Sequence, residues 1–251
     1  MSKIVLESKK DQKGIKNPIV KDENGYYRVT LGAFNTFNNR KIYYRVTDLD
    51  KVVGPESIVG KRIKEGYLRA EYNHPEVPSD YAGLVRRTLE INPDRVCEHI
   101  KRIEVINTQR VEKGFNLPIY IIYGWVKPDG PYGKYIEDAL NNPDINIAHS
   151  VRSVAKQSRI SSIIVRDIKL LSTWDYVTEP GYAIANQWYA AGLESASYDD
   201  LIIESEEDAE KILAALESNK DFIKCKDGEC IINAVDEIRL DFRKERTLLD
   251  W

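Results

Sequence analysis

The chain has 251 residues, of which 42% are hydrophobic and 31% are charged, and its formal net charge is −3. This composition allows a substantial hydrophobic core and argues against a wholly disordered chain. No apolar run approaches the ~20 residues that a helix needs to span a bilayer, and the charged N-terminus lacks the apolar stretch of a secretory signal. We therefore expect no membrane partner.

Charge is distributed unevenly along the chain. Residues 194–251 contain 17 acidic and 8 basic residues, whereas residues 1–193 contain 23 acidic and 29 basic ones. We predict a mobile N-terminal arm over residues 1–25, a main domain over 26–193, and an acidic extension over 194–251 that docks on the body or on a basic partner. The mild acidity and the lack of a clustered basic helix argue against nucleic acid as a partner.

The cysteine content argues against disulfides and metal sites. The chain has three cysteines, Cys97, Cys225 and Cys230, and an odd, sparse count fits a reducing compartment. Cys225 and Cys230 flank the sequence KDGE, but no further Cys or His lies nearby to complete the roughly four ligands of a structural zinc site. We predict no metal and no cofactor.

In chain order, the predicted elements of the body are mostly strands, because β-branched and aromatic residues alternate with polar ones. The first two strands are predicted to pair as a hairpin, residues 52–66 are predicted to form a loop, and residues 95–105 fit neither period. Strands are predicted over residues 26–33, 42–46, 66–74, 117–126, 145–153, 160–165 and 168–177, and short helices over residues 80–90 and 132–141. About seven strands with few helices indicate a mixed α+β, mainly β fold, as a closed or partly closed β-barrel surrounded by helices.

The C-terminal segment is predicted to contain a helix and a hairpin. Residues 204–218 have an apolar helical stripe, and Ser205 is placed to cap the helix. Residues 222–234 are predicted to form a hairpin across Asp227-Gly228, and residues 183–191 a helix.

Two residues of the body form a candidate pair of nucleophile and base. Ser150 lies in a strand with Arg152 two residues on, so both side chains point to the same face and the guanidinium can support an oxyanion. His74 ends the strand at residues 66–74, just before Pro75, and an imidazole there can take the serine proton. The alternative for each is a structural role, because serines are common in strands and a histidine at a strand end is often a surface or core residue.

Asp175 is the candidate partner for that histidine. It lies between Trp174 and Tyr176, and a carboxylate flanked by aromatic rings can be desolvated and held against an imidazole. The alternative is a turn former or a structural ion pair. The fallback candidates are Glu179, Asp167 and His99, whereas His149 and Ser153 point away from Ser150 and are expected to be structural.

The order of these signals resembles a known family. The segments AEYNHP, INPDRVCEHIKRI, IYGWVKPDGPYGKYIEDAL, INIAHSVRS and STWDYVTEPGY follow one another as they do in the prohead (head maturation) proteases of tailed bacteriophages, which share a fold and chemistry with the herpesvirus assemblins. The resemblance covers about residues 66–182. It implies an assemblin-like barrel with His74 as general base and Ser150 as nucleophile.

The chain also departs from the family pattern. In assemblins the third catalytic member is a histidine after the serine strand, but no histidine follows His149, and Asp175 is the replacement that we predict. Many phage members have Gly-X-Ser-Ser-Arg-Gly around the nucleophile, whereas Ala148 to Ser153 of this chain contain no glycine.

The resemblance further implies substrates and a setting. Such enzymes cleave scaffold and capsid proteins inside the immature head in the host cytoplasm, often after glutamate, and then cleave themselves; candidate self-cleavage points follow Glu7, Glu194 and Glu217. Assemblins act as homodimers, which makes a homodimer the expectation by analogy. The leading hypothesis is a serine endopeptidase of phage head maturation. The alternatives are a catalytically inactive structural or scaffold-binding head component, and a small-molecule or nucleic-acid binding barrel.

Overall fold

In the part of the chain that the structure describes, the strands form two five-stranded sheets. A computed structural model describes residues 19–76, 78, 80–142, 144–178, 200–218 and 226–249. The first sheet has the order β1-β2-β7-β6-β5 and is antiparallel throughout. Its strands are β1 (Val20–Lys21), β2 (Tyr27–Phe34), β5 (Arg69–Glu71), β6 (Val96–Val111) and β7 (Pro118–Pro128).

The second sheet has the order β10-β8-β9-β4-β3. The long hairpin of β8 and β9 is antiparallel, whereas β10 runs parallel to β8 and β4 runs parallel to β9. Its strands are β3 (Thr36–Phe37), β4 (Tyr43–Arg45), β8 (Ala148–Ile160), β9 (Ile163–Val177) and β10 (Asp200–Ile203).

Helices cover the sheets and begin with capping residues that the sequence supplies. Asp48, Ser57 and Asp80 each accept a hydrogen bond from a backbone N–H of the first turn of the helix that they precede. The helices are α1 (Leu49–Val53), α2 (Ile58–Glu65), α3 (Tyr81–Leu89), α4 (Gly133–Asn141), α5 (Glu206–Ser218) and α6 (Lys226–Leu249), with a 3₁₀ turn at Pro93–Arg95. None of the helices in the described ranges has the length and apolarity needed to cross a bilayer.

The prediction of a mixed, mainly β fold with helices is confirmed, but the barrel is not. Within the described residues the strands separate into two sheets, and they are joined by a single isolated parallel bridge between Tyr72 and Tyr176. The predicted pairing of residues 26–33 with 42–46 is wrong, since β2 pairs with β7 and β4 pairs with β3 and β9. The two strands predicted within residues 160–177 are wrong, since residues 163–177 form the single strand β9 and Ile160 ends β8. Of the ambiguous residues 95–105, all but Arg95 belong to β6.

Two helical segments also differ from the sequence-based predictions. The prediction of a loop over residues 52–66 is wrong, since only residues 54–57 separate α1 from α2. A Cβ at Gly60 would lie 2.1 Å from the Gly54 carbonyl oxygen, so this glycine permits the close approach of the turn to α2. The predicted hairpin across Asp227-Gly228 is wrong, because both residues lie at the start of α6. The predicted helix at residues 183–191 lies outside the described residues.

Among the described residues, the buried apolar side chains form two clusters on opposite sides of the second sheet. One lies against the first sheet and contains Leu31, Val151 and Trp174. The other joins β8 and β9 to α3, α5 and α6, and its members include Val154 and Ile238. Burial on both faces explains why β8 and β9 contain few exposed residues.

The acidic C-terminal segment contacts the rest of the chain through ion pairs as well as through this second cluster. Lys169 Nζ lies 3.2 Å from Glu237 Oε1 and 2.9 Å from Asp241 Oδ2, and Lys156 Nζ lies 2.7 Å from Glu245 Oε1. These lysines belong to β8 and β9, so α6 contacts the two strands that carry Ser150 and Asp175.

Candidate active site

The pairing of β8 and β9 places two of the predicted site residues side by side. Ser150 and Asp175 are directly opposite each other in the antiparallel register. Directly opposite residues project to the same face with their Cβ atoms about 4.5–5.5 Å apart. Ser150 is 5% exposed and Asp175 is fully buried.

The third predicted residue, His74, approaches the same carboxylate from the first sheet. Its Nδ1 lies 4.0 Å from Asp175 Oδ2, and its side chain is 9% exposed. Two hydrogen bonds donated by backbone N–H groups fix this approach. The Glu71 N–H donates to the side-chain Oδ1 of Asp175 at 3.0 Å, and the Asn73 N–H donates to the Tyr176 carbonyl at 2.8 Å. The structure therefore gathers His74, Ser150 and Asp175 at one place.

His74 reaches this face because of the backbone at Asn73. Regular alternation along residues 66–74 would place His74 with Tyr72, on the side of the apolar core. Asn73 instead has φ = 60°, a left-handed conformation that Asn tolerates better than most residues. The alternation is interrupted there, and His74 faces Asp175 while the Tyr72 ring stacks on Tyr176 at 5.7 Å.

Arg152 binds the carboxylate of Asp175 through two hydrogen bonds. Its Nε donates to Asp175 Oδ2 at 2.8 Å and its Nη2 donates to Asp175 Oδ1 at 2.7 Å, a bidentate pair in which both side chains are fully buried. Its Nη1 donates to Glu71 Oε1 at 3.2 Å and to the carbonyls of Arg87 and Glu90. All three nitrogens are thus engaged with protein acceptors, and these contacts do not favour the predicted role of Arg152 in oxyanion support.

Glu71 is a central residue of the site that the sequence analysis missed. Its fully buried carboxylate accepts from Arg87 Nη2 at 2.9 Å and from the Asn92 N–H at 2.7 Å, besides Arg152. Arg95 Nε lies 3.8 Å from the same carboxylate. A glutamate in a strand between buried residues is a signal that could have identified it, because a buried charge needs a partner.

The two buried carboxylates are shifted in opposite directions. Burial raises the pKa of Asp175, although Arg152 and His74 act in the other direction. Burial also acts to raise the pKa of Glu71, but Arg152, Arg87 and the Asn92 N–H outweigh it, and the net pKa is lowered. Glu71 therefore favours its ionised form beside the arginines, whereas desolvation opposes the charge of Asp175 and the contacts with Arg152 and His74 support it.

The remaining sequence candidates lie elsewhere. His149 points to the opposite face of β8, where its Nε2 lies 2.8 Å from Glu98 Oε1. Asp167 pairs with Arg45, and His99 contacts Tyr26 and the Gly66 carbonyl. Ser153 donates to Asp200 in the buried contact between β8 and β10. Glu179 lies outside the described residues. No group of three or more potential metal-ligating side chains occurs within the described residues.

Comparison with known proteins identifies the family. The sequence model of the peptidase S80 family matches residues 2–233. The chain is 36% identical over 195 residues to the capsid maturation protease of Pseudomonas phage phiKZ, covering 75% of this chain and 69% of the relative. No solved structure matches. The resemblance to prohead proteases is thereby confirmed. The chain belongs to the peptidase S80 family.

Proposed function

We propose that this peptidase is a serine endopeptidase of phage head maturation, with Ser150 as nucleophile, His74 as general base and Asp175 as the partner of the histidine. The observation that supports this most is the position of Asp175, which is the cross-strand neighbour of Ser150 and lies 4.0 Å from His74 Nδ1. The arrangement combines a hydroxyl, an imidazole and a buried carboxylate, the three groups that acyl transfer by a serine requires.

The geometry suggests how the three groups divide the work. With Nδ1 of His74 directed at Asp175, its Nε2 is the nitrogen available to accept the proton of Ser150. The serine oxygen then bonds to the substrate carbonyl carbon, and His74 returns the proton to the leaving amine as the peptide bond breaks. Water, deprotonated by His74, attacks the acyl-enzyme, and the proton passes back to Ser150 as the acid product leaves.

Arg152 has a positioning role in this scheme. Its bidentate contact fixes both oxygens of Asp175, and its bond to Glu71 ties β8 to the strand that leads to His74. A guanidinium is suited to this role because its planar fork matches a carboxylate. Oxyanion support by Arg152 remains a prediction, and it competes with these contacts.

The substrate class follows from the relative's function. The phage phiKZ relative is a capsid maturation protease. We propose that this chain likewise cleaves scaffold and capsid proteins inside the immature head, with self-cleavage after glutamate. Glu217 lies in the last turn of α5, whereas Glu7 and Glu194 lie outside the described residues. We also propose a homodimer like that of the assemblins. The closed barrel and the domain boundaries at residues 25 and 193 stay predictions from the sequence.

A serine-reactive peptide phosphonate tests the proposal. We expect wild-type protein to gain the mass of one probe, and peptide mapping to locate it on Ser150. Ser150→Ala should abolish labelling, His74→Ala should slow it at least about a hundredfold, and Ser158→Ala, on the same strand, should leave it unchanged. Absence of labelling in folded wild-type protein, or labelling of another serine, would refute the assignment.

A further inference from the structure

We propose that the buried pair of Glu98 and His149 is a positioning device for Ser150, acting on the opposite face of β8 from Asp175 and Arg152. The proposal rests on the proposed function, because it assigns a purpose to residues behind the nucleophile.

The pair links the two sheets directly behind the site. His149 precedes Ser150 in β8, and its imidazole Nε2 lies 2.8 Å from Oε1 of Glu98 in β6, the distance of a hydrogen bond donated to a carboxylate. Both side chains are fully buried. The His149 ring also meets the Tyr176 ring edge to face at 6.1 Å, so the pair contacts the strand of Asp175 as well.

Glu98 lies next to the strand that leads to His74, so its bond to His149 bears on the placement of the base relative to Ser150. Glu98 is opposite Ala70 of β5, the strand that leads to His74. The bond from Glu98 to His149 therefore connects the chain segment that carries the base with the one that carries the nucleophile. Arg152 and Glu71 make the same connection on the other face. Together the two links bracket Ser150 from both faces of β8.

The nucleophile needs such support because its strand is paired on one side only among the described residues. β10 pairs with β8 from Ser153 to Lys156, whereas Ala148 to Arg152 pair only with β9 within the described ranges. A side-chain bond from His149 restrains the stretch of β8 next to Ser150 that β10 does not reach.

Within the described ranges, the hydrogen bonding of the pair is incomplete. Among the described residues His149 Nδ1 and Glu98 Oε2 have no hydrogen-bond partner, although both atoms are buried. Cys97, next to Glu98 in β6, belongs to the apolar cluster between the sheets, and burial together with Glu98 raises the pKa of its thiol. Apolar side chains often stabilise such positions as well as a buried pair of polar side chains does, so the pair is better explained by the specific geometry that it enforces.

The experiment compares stability with turnover in three variants. Glu98→Gln keeps an acceptor for His149, Glu98→Ala removes it, and the double variant Glu98→Met with His149→Phe fills the space with apolar groups. Glu104→Ala is the matched control, since Glu104 lies on the same strand and pairs with Arg28 on the exposed face of the sheet. The measurements are the urea midpoint, kcat and KM on a peptide substrate, and the rate of Ser150 labelling by the phosphonate.

We expect the double variant to keep the wild-type urea midpoint or exceed it, while its kcat and labelling rate fall at least tenfold and its KM changes less than threefold. Glu98→Ala should show the same kinetic loss, and Glu98→Gln should recover to within threefold of wild type. Wild-type kcat and labelling in the folded double variant would overturn the inference while leaving the proposed function intact. Failure of wild-type protein to label at all would instead refute the proposed function.

Discussion

Asp175 is the residue on which the charge arrangement of the site depends. It is fully buried, accepts two hydrogen bonds from Arg152 and one from the Glu71 N–H, and lies next to His74. Only an ionised carboxylate satisfies all of these neighbours at once. A neutral amide of the same shape offers one acceptor oxygen instead of two and turns a donor toward Arg152 or His74.

Asp175→Asn should therefore lower kcat by on the order of 10²–10⁴ with little change in KM, because the histidine loses the charge that stabilises its protonated form. Steady-state hydrolysis of a peptide substrate measures this. Asp129→Asn is the control, since Asp129 also pairs with an arginine, Arg69, but at a partly exposed site. Wild-type kcat in folded Asp175→Asn would remove Asp175 from the mechanism.

Glu71 gives a second prediction, on stability against pH. Its pKa is lowered in the folded chain from an ordinary value of 4.5, so the folded state favours the ionised form. The stabilisation of the folded state by ionised Glu71 is complete above the pKa of this residue in the unfolded chain, and it is lost as the pH falls through its pKa in the folded chain. Glu71→Gln should cost about 3 kcal/mol near neutral pH, because it leaves the buried Arg152 with one carboxylate fewer.

The difference between wild type and Glu71→Gln should shrink as the pH falls below 4.5, since a protonated glutamate resembles the amide. Urea unfolding at a series of pH values measures it. A difference that stays constant from about pH 3 to pH 7 would show that the charge of Glu71 contributes nothing.

At the scale of elements, α6 contributes part of the second cluster of buried residues. Ile238 is fully buried against the strands that carry the site, whereas Leu240 on the same helix is 42% exposed. Ile238→Ala should lower the free energy of unfolding by about 2–4 kcal/mol, because it removes buried methylenes and leaves a cavity. Leu240→Ala should change it by less than about 0.5 kcal/mol. Equal losses in urea unfolding would contradict the packing described for α6.

The sequence predicts elements well where the pattern is local and poorly where distant contacts decide. The helices at residues 80–90, 132–141 and 204–218 and the strands near residues 26–33 and 117–126 are found close to their predicted positions. Asp227-Gly228 has the chemistry of a hairpin turn, but packing of Ile231, Val235 and Ile238 against the second sheet favours a helix. Local turn preference is worth less than this burial.

For the site, the sequence indicates which residues take part in the chemistry but not which hydrogen bonds link them. His74, Ser150 and Asp175 are recognisable by type, spacing and resemblance, and they lie close together in the fold. The sequence offers a signal for Glu71 as a buried charge, but not its partners, because the bond from Arg87 depends on where α3 lies relative to β5. Arg152 is placed on the correct face by alternation, yet only the structure shows that its nitrogens are engaged by Asp175 and Glu71.

At the scale of the whole molecule, the C-terminal segment is an integral part of the fold. β10 extends the second sheet, α5 and α6 complete the second core, and lysines of β8 and β9 bind acidic residues of α6. Acidic surface on one part and basic surface on another thus meet within one chain, as the uneven charge distribution indicated.

A chain that ends after Glu217 lacks α6 and should lose its cooperative thermal transition. The truncation exposes several buried aliphatic side chains, each contributing about 1.5–3 kcal/mol, which together approach the 5–15 kcal/mol typical of a whole domain. Circular dichroism during heating measures this, with full-length Ser150→Ala as the reference that cannot cleave itself. A truncated chain with the melting temperature of the reference would show that α6 is dispensable.

The left-handed backbone of Asn73 has a consequence for how this site can vary. The φ angle of Asn73 decides whether the imidazole of the next residue, His74, meets Asp175 or turns toward the tyrosine rings. Glycine can adopt that angle without cost, whereas a valine or isoleucine there would resist it and swing the base away while every catalytic group was still present. A family member could thus lose activity through a substitution at the position of Asn73, which itself takes no part in the chemistry.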